Sequence, residues 1–226
     1  MNTEGPVRRL LAEIDRYLAT LGGPGVDAVR SGLAAHAQGP VRPRLPQQKD
    51  CLRHLAPALR QLAESGHQPL ADAIADASPH LRWVTYDAYG TERIGTPFAE
   101  GHAFASLVGE YGPVAADDYD LGLFLIAPNT FYRDHFHPAP ELYAPLTGPH
   151  GWRFQPGAPF TWLEAHHPVW NEPMQPHATV TGDNPFLCIF GWTRDVSLPA
   201  DILPSADWPA IDESLAARKS LAVATD

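Results

Sequence analysis

At 226 residues, with 44% hydrophobic and 19% charged side chains, the chain is long enough for a sizeable core and too apolar to be disordered. Its formal net charge of −10, from 26 acidic against 16 basic residues without a basic stripe, argues against a nucleic-acid or anionic-membrane partner. Cys51 and Cys188 make no disulfide framework, which fits a reducing compartment. The first segment carries charges throughout and no signal-peptide core, and no apolar run approaches about 18 residues, so a cytoplasmic, membrane-free protein is expected.

The chain changes period near residue 80. Val7, Leu10, Leu11, Ile14, Leu18 and Leu21 repeat at helical spacing, and the "GGPG" at 22–25 ends that helix. Val26, Val29 and Leu33 predict a second helix. The proline-rich "GPVRPRLPQQ" links it to a third through Leu52, Leu55, Leu59 and Leu62, with Pro57 opening or kinking it. "PLADAIADA" predicts a short fourth. From Trp83 onward, short β-like runs are expected at 104–108, 121–127, 131–137, 141–146, 151–154, 160–164, 178–181 and 186–193. The Gly-, Pro-, Asn- and Asp-bearing separators "EYGPVAADD", "TGPHG", "QPGAP" and "TGDNP" supply turns. The 24 prolines, about twice the usual share of roughly 5%, suit fixed turns better than long helices. This pattern predicts a mainly β jelly roll over residues 81–200, an N-terminal α-helical extension over 1–80, and a C-terminal segment over 201–226 whose short helix packs on the barrel.

One stretch, "FYRDHFHPAPELYAPLTG" at 131–148, crowds ionisable groups into an apolar hairpin. Residues two apart on a strand share a face, so His135 projects with His137, and Glu141 with Tyr143. Pro138, Ala139 and Pro140 form a hairpin-length connection between the two pairs. Two imidazoles and a carboxylate on one surface suit a divalent first-row metal with open positions. His177, after a Pro-rich turn, is the candidate fourth ligand. The other ionisable clusters read as bland. His102 and His150 sit in Gly-rich turns and read as exposed, His166 and His167 point to opposite faces, and "DDYD" at 117–120 reads most simply as a solvated loop, with a cover over the barrel mouth as the alternative.

The spacing His135-Phe-His137, three residues, Glu141, six residues, Gly148 resembles the first motif of the cupin superfamily. Pro173-Met-Gln-Pro-His177 resembles the second, without its usual glycine and trailing asparagine. A narrower resemblance is to the cupin-type dimethylsulfoniopropionate (DMSP) lyases: Tyr132 lies five residues before the second His and Tyr143 two after the Glu, and helices precede the barrel. "WRFQPG" and "GWTRD" also resemble that family. The resemblance implies a cupin double-stranded β-helix with His135, His137, Glu141 and His177 holding one divalent transition metal (Zn, Fe, Mn, Ni or Co). It implies Tyr143 as the general base, and Tyr132 as a substrate-positioning or second proton-handling group.

The implied reaction removes the proton beside a carboxylate and expels dimethyl sulfide, leaving acrylate. A sulfonium carboxylate is then the small-molecule partner, and its permanent cation calls for aromatic faces. Tyr132, Trp152, Trp162 and Trp170 are the candidates for that contact. A dioxygenase, a sugar isomerase, or a lyase acting on a different small carboxylate are the alternatives for the same metal set. The helical extension offers a surface through which a homodimer could pack.

Overall fold

The computed structural model describes residues 3–87 and 89–223, with side chains as far as residue 220. Four helices form in the stretches that the periodicity marks, α1 (Glu4–Leu18), α2 (Val26–His36), α3 (Leu55–Leu62) and α4 (Gln68–Ala77), with Leu21 beyond the end of α1 and Leu52 in a 3₁₀ turn (Asp50–His54) ahead of α3. Pro57 lies in the first turn of α3, where a missing N–H costs nothing, so it opens that helix and does not kink it. Among the described residues, no helix is long and apolar enough to cross a membrane.

The β region consists of β1 (His102–Val108), β2 (Asp120–Ile126), β3 (Phe131–Phe136), β4 (Glu141–Pro145), β5 (His150–Arg153), β6 (Thr161–Leu163), β7 (Val169–Asn171), β8 (His177–Thr181), β9 (Phe186–Trp192) and β10 (Asp201–Ile202). They form two five-stranded antiparallel sheets, ordered β1-β2-β9-β4-β7 and β10-β3-β8-β5-β6. Strands β7 and β10, and the helices α5 (Thr91–Ile94) and α6 (Thr96–Gly101), are absent from the sequence reading. Each is too short to show a period, and only the barrel around it holds it in place.

The first sheet is buried on both faces, which is why "LGLFLI" and "FLCIFGW" read as nearly continuous apolar runs. Its outer face carries Leu121, Leu123, Leu125, Leu142, Ala144, Leu187 and Ile189 against Val7, Leu10, Ile14 and Leu18 of α1 and Val29 of α2. The apolar stripe of the first helix is therefore spent on the barrel wall. Its inner face joins Phe124, Tyr143, Cys188 and Phe190 to Phe98 of α6 and Trp152 of β5. Both cysteines are buried and unpaired.

The last helix, α7 (Trp208–Val223), closes against the second sheet. Trp208 Nε1 donates to Asp134 Oδ2 at 2.7 Å, and Arg133 pairs with Asp212 at 2.9 Å. Asp134 also holds the buried Arg153 guanidinium at 2.5 Å, with Asp207 on its other side. A charge that deep in the protein persists only when paired, so this network ties β3, β5 and the C-terminal segment together.

Two histidines differ from their sequence reading. His102 and His150 are fully buried. His102 stacks on Phe98 at 4.1 Å, its Nδ1 donating to Phe98 O and its Nε2 accepting from the Tyr86 amide at 2.8 Å. His150 Nδ1 accepts from Trp152 Nε1 at 2.7 Å. The glycines beside them mark close packing, not exposure.

Candidate metal centre

His135 and His177 sit directly opposite each other on β3 and β8, and His137 follows β3 by one residue. The Pro138-Ala139-Pro140 connection then returns the chain into β4, whose first residue is Glu141. All four side chains are buried, at 3% exposure or less. The imidazoles of His135, His137 and His177 present nitrogens within 4.8 Å of one another.

The backbone fixes which nitrogens converge. His135 Nδ1 donates to Arg133 O at 2.8 Å, His137 Nδ1 to Ala139 O at 2.8 Å, and His177 Nδ1 to Gln175 O at 3.0 Å. With Nδ1 carrying the hydrogen, it is Nε2 of each ring that can offer a lone pair to a metal, the arrangement that orients histidine ligands. His177 Nε2 has no hydrogen-bond partner, and Glu141 Oε2 lies 2.9 Å from His137 Nε2 and 3.6 Å from His177 Nε2.

Acceptors that close require a cation between them, either a proton or a metal ion. With a proton, burial disfavours charge on His137, but the Glu141 carboxylate outweighs it and raises the imidazole above its ordinary value. Burial likewise works against ionised Glu141, yet the His137 charge and hydrogen bond hold it well below the usual carboxylate range. Burial and the neighbouring His177 and His137 push His135 well below its ordinary value. Three imidazole nitrogens and a carboxylate fit a divalent transition metal in number, softness and orientation.

A cavity of about 240 Å³ opens on this cluster. His135, His137, Glu141, Tyr132 and Tyr143 all line it, and Phe98, Phe104, Phe124, Phe190 and Trp192 add aromatic wall. Tyr132 and His135 are three residues apart, which on a regular strand would place them on opposite faces. A bulge between them shifts the register against β8, and their rings stack at 4.0 Å. Tyr132 also stacks on Phe98 at 4.1 Å. Tyr143 is buried two residues beyond Glu141; burial, and then the Glu141 charge, raise its phenol well above the ordinary value.

The three tryptophans named from sequence do not line the cavity. Trp152 lies behind the wall, its ring centroid 4.9 Å from that of Tyr143. Trp162 is 46% exposed on β6, the edge strand of the second sheet. Trp170 packs outside the barrel against Gly25, whose positive φ of 81° and missing side chain both serve that close approach. Trp192 takes the wall position instead, its ring 4.6 Å from that of His137. The signal was available: in "FLCIFGW", Trp192 alternates in phase with the buried Cys188 and Phe190.

Asp120 also lines the cavity, although "DDYD" read as a solvated loop; Asp117 and Asp118 are exposed, but Tyr119 is buried and Asp120 opens β2. His166 and His167 lie in a turn away from the cluster. His166 contacts the Tyr17 hydroxyl at 2.9 Å and Ser65 Oγ at 3.0 Å.

The two facing antiparallel sheets, with three histidines and a glutamate inside, define a cupin. Residues 26–188 match the DMSP lyase family, and the chain belongs to it. It is 32% identical over 173 residues to DddL of Cereibacter sphaeroides, covering 73% of this chain and 69% of that one. It is 30% identical over 136 residues to the dimethylsulfoniopropionate lyase DddQ of Ruegeria pomeroyi, covering 60% of this chain and 66% of the relative. The crystal structure of DddQ from Ruegeria pomeroyi superimposes with a TM-score of 0.64 at 24% identity, over 88% of this chain and 96% of that one.

Proposed function

We propose that the protein is a metal-dependent lyase that cleaves DMSP to dimethyl sulfide and acrylate. The observation that carries this reading is the convergence of three Nε2 atoms and the Glu141 carboxylate beside Tyr132 and Tyr143 in an aromatic cavity. Membership of the family and likeness to DddQ support the substrate. His135, His137, Glu141 and His177 would hold a divalent transition metal (Zn, Fe, Mn, Ni or Co), which would supply Lewis-acid charge against the negative charge growing beside the substrate carboxylate and would favour a nearby phenolate.

Tyr143 removes the α-proton. The electron pair released from that C–H bond forms the carbon–carbon double bond, and the C–S bond breaks with its electrons going to sulfur. Trp152 backs the Tyr143 ring and limits its movement. Tyr132, clamped between Phe98 and His135, positions the substrate. The faces of Trp192, Phe104 and Phe190 take the sulfonium methyls; of the four candidates Tyr132, Trp152, Trp162 and Trp170, only Tyr132 lines the cavity.

The test is headspace dimethyl sulfide from metal-loaded protein supplied with DMSP at millimolar concentration. Release by the parent, its loss in Tyr143→Phe and retention of metal by that variant are expected. No release with metal bound rejects the lyase reading, and a normal rate in Tyr143→Phe moves the base to Tyr132.

A further inference from the structure

The cavity contains a carboxylate that the reaction scheme leaves without a task. Asp120 Oδ2 accepts a hydrogen bond from Ser106 Oγ at 3.1 Å, while Oδ1 is buried and has no hydrogen-bond partner. Among the described residues no Lys or Arg forms an ion pair with it. A buried carboxylate left half-satisfied costs stability, and one that lines a cavity has an acceptor free for whatever enters it.

Strand register places this carboxylate relative to the metal ligands. Asp120 pairs with Trp192 across β2 and β9, and Trp192 pairs with Glu141 across β9 and β4. Directly opposed residues in an antiparallel sheet project to the same face, at about 5 Å per strand step. Glu141, Trp192 and Asp120 therefore form one row across the cavity wall, roughly 10 Å from end to end at the backbone. Ligand cluster, aromatic face and second carboxylate follow in that order.

We infer that Asp120 is the anionic seat for the cationic end of the substrate, selecting onium carboxylates over neutral analogues of the same shape. The inference rests on the lyase reading for its substrate and adds a specificity-determining residue to it. A sulfonium offers no hydrogen to donate, so recognition needs a negative field next to apolar contact, and Asp120 beside Trp192 and Phe104 provides both. A substrate whose carboxylate sits at the Glu141 end, two methylenes from its cation, spans this row in one orientation only. Burial pushes Asp120 up to about 7, which disfavours the carboxylate while no cation is near, and a cation seated beside it would favour the charged form again.

The role has a kinetic signature. Elimination turns the sulfonium into a neutral sulfide, so the attraction to Asp120 weakens as the C–S bond breaks. Asp120 therefore acts on binding and selection more than on the chemical step.

The experiment compares metal-loaded parent, Asp120→Asn and Asp120→Ala, each checked for metal content. DMSP turnover is read alongside inhibition by 4-methylpentanoate, in which carbon replaces sulfur. The account expects KM for DMSP to rise roughly tenfold or more in both variants, kcat to change less than about threefold, and 4-methylpentanoate to inhibit as well or better. An unchanged KM, or equal weakening of substrate and neutral isostere, overturns the assignment. If the parent releases no dimethyl sulfide, the lyase reading fails by itself and calorimetry decides the Asp120 question. A preference of the parent for DMSP over 4-methylpentanoate that disappears in Asp120→Asn supports it; equal or undetectable affinities overturn it.

Discussion

Strands β2, β9 and β4 have two faces that are built to opposite standards. The face toward the helices carries Leu121, Leu123, Leu125, Leu142, Ala144, Leu187 and Ile189, all fully buried and all without a polar side-chain atom. The inner face, made by the intervening residues, carries Asp120, Gly122, Phe124, Glu141, Tyr143, Phe190 and Trp192. Aliphatic packing on one side holds the backbone still; the other side holds ionisable groups in costly surroundings. Alternation along a strand lets a single sheet carry both, with stability assigned to one phase and chemistry to the other.

Substitutions on the two faces should therefore separate activity from stability. The largest effect is expected at the ligands: His135→Ala or His177→Ala should lower metal affinity by more than about a hundredfold, read as metal per chain after dialysis, and abolish turnover with it. Full occupancy in His177→Ala would assign the fourth position to another group. Tyr143→Phe should reduce kcat by about 10²–10⁴-fold with metal retained, measured by dimethyl sulfide release.

On the outer face the pattern inverts. Leu123→Ala should cost about 2–5 kcal/mol in denaturant unfolding and leave kcat per folded molecule unchanged. A drop in kcat there would show that the two faces are coupled.

The smallest expected effect is acid sensitivity from His102. Burial lowers it from 6.5 to about 4, and its Nε2 is committed to accepting the Tyr86 amide. The neutral ring is thus favoured in the native state. Its contribution is fully present above pH 6.5, the unfolded value, and is lost as pH falls from there through about 4. Thermal unfolding of His102→Gln should show a shallower acid limb over that window, and an unchanged limb would place the sensitivity elsewhere.

Much of this layout was legible in the sequence. Helical stripes such as Val7–Leu18 and runs such as "FLCIFGW" announced themselves because each is long enough to show its period. The cluster of His135, His137 and Glu141 stood out because its spacing places like-facing groups on both arms of a hairpin. What was not legible depends on contacts between distant segments. Only the bulge in β3 brings Tyr132 onto His135, and only sheet register sets Asp120 in line with Glu141. The choice among tryptophans turned on which side of a wall each faces, and Trp170 faces outward because α2 covers it through Gly25.

The central claim is that one divalent metal, held by the three histidines and Glu141, makes this cavity a lyase site. Titrating metal-stripped protein with a single divalent metal while following dimethyl sulfide release from DMSP tests it most directly. The account predicts a negligible rate in the stripped protein, a rise in proportion to bound metal, and saturation at one equivalent per chain. Undiminished release from stripped protein, or none at full occupancy with every metal tried, would contradict it.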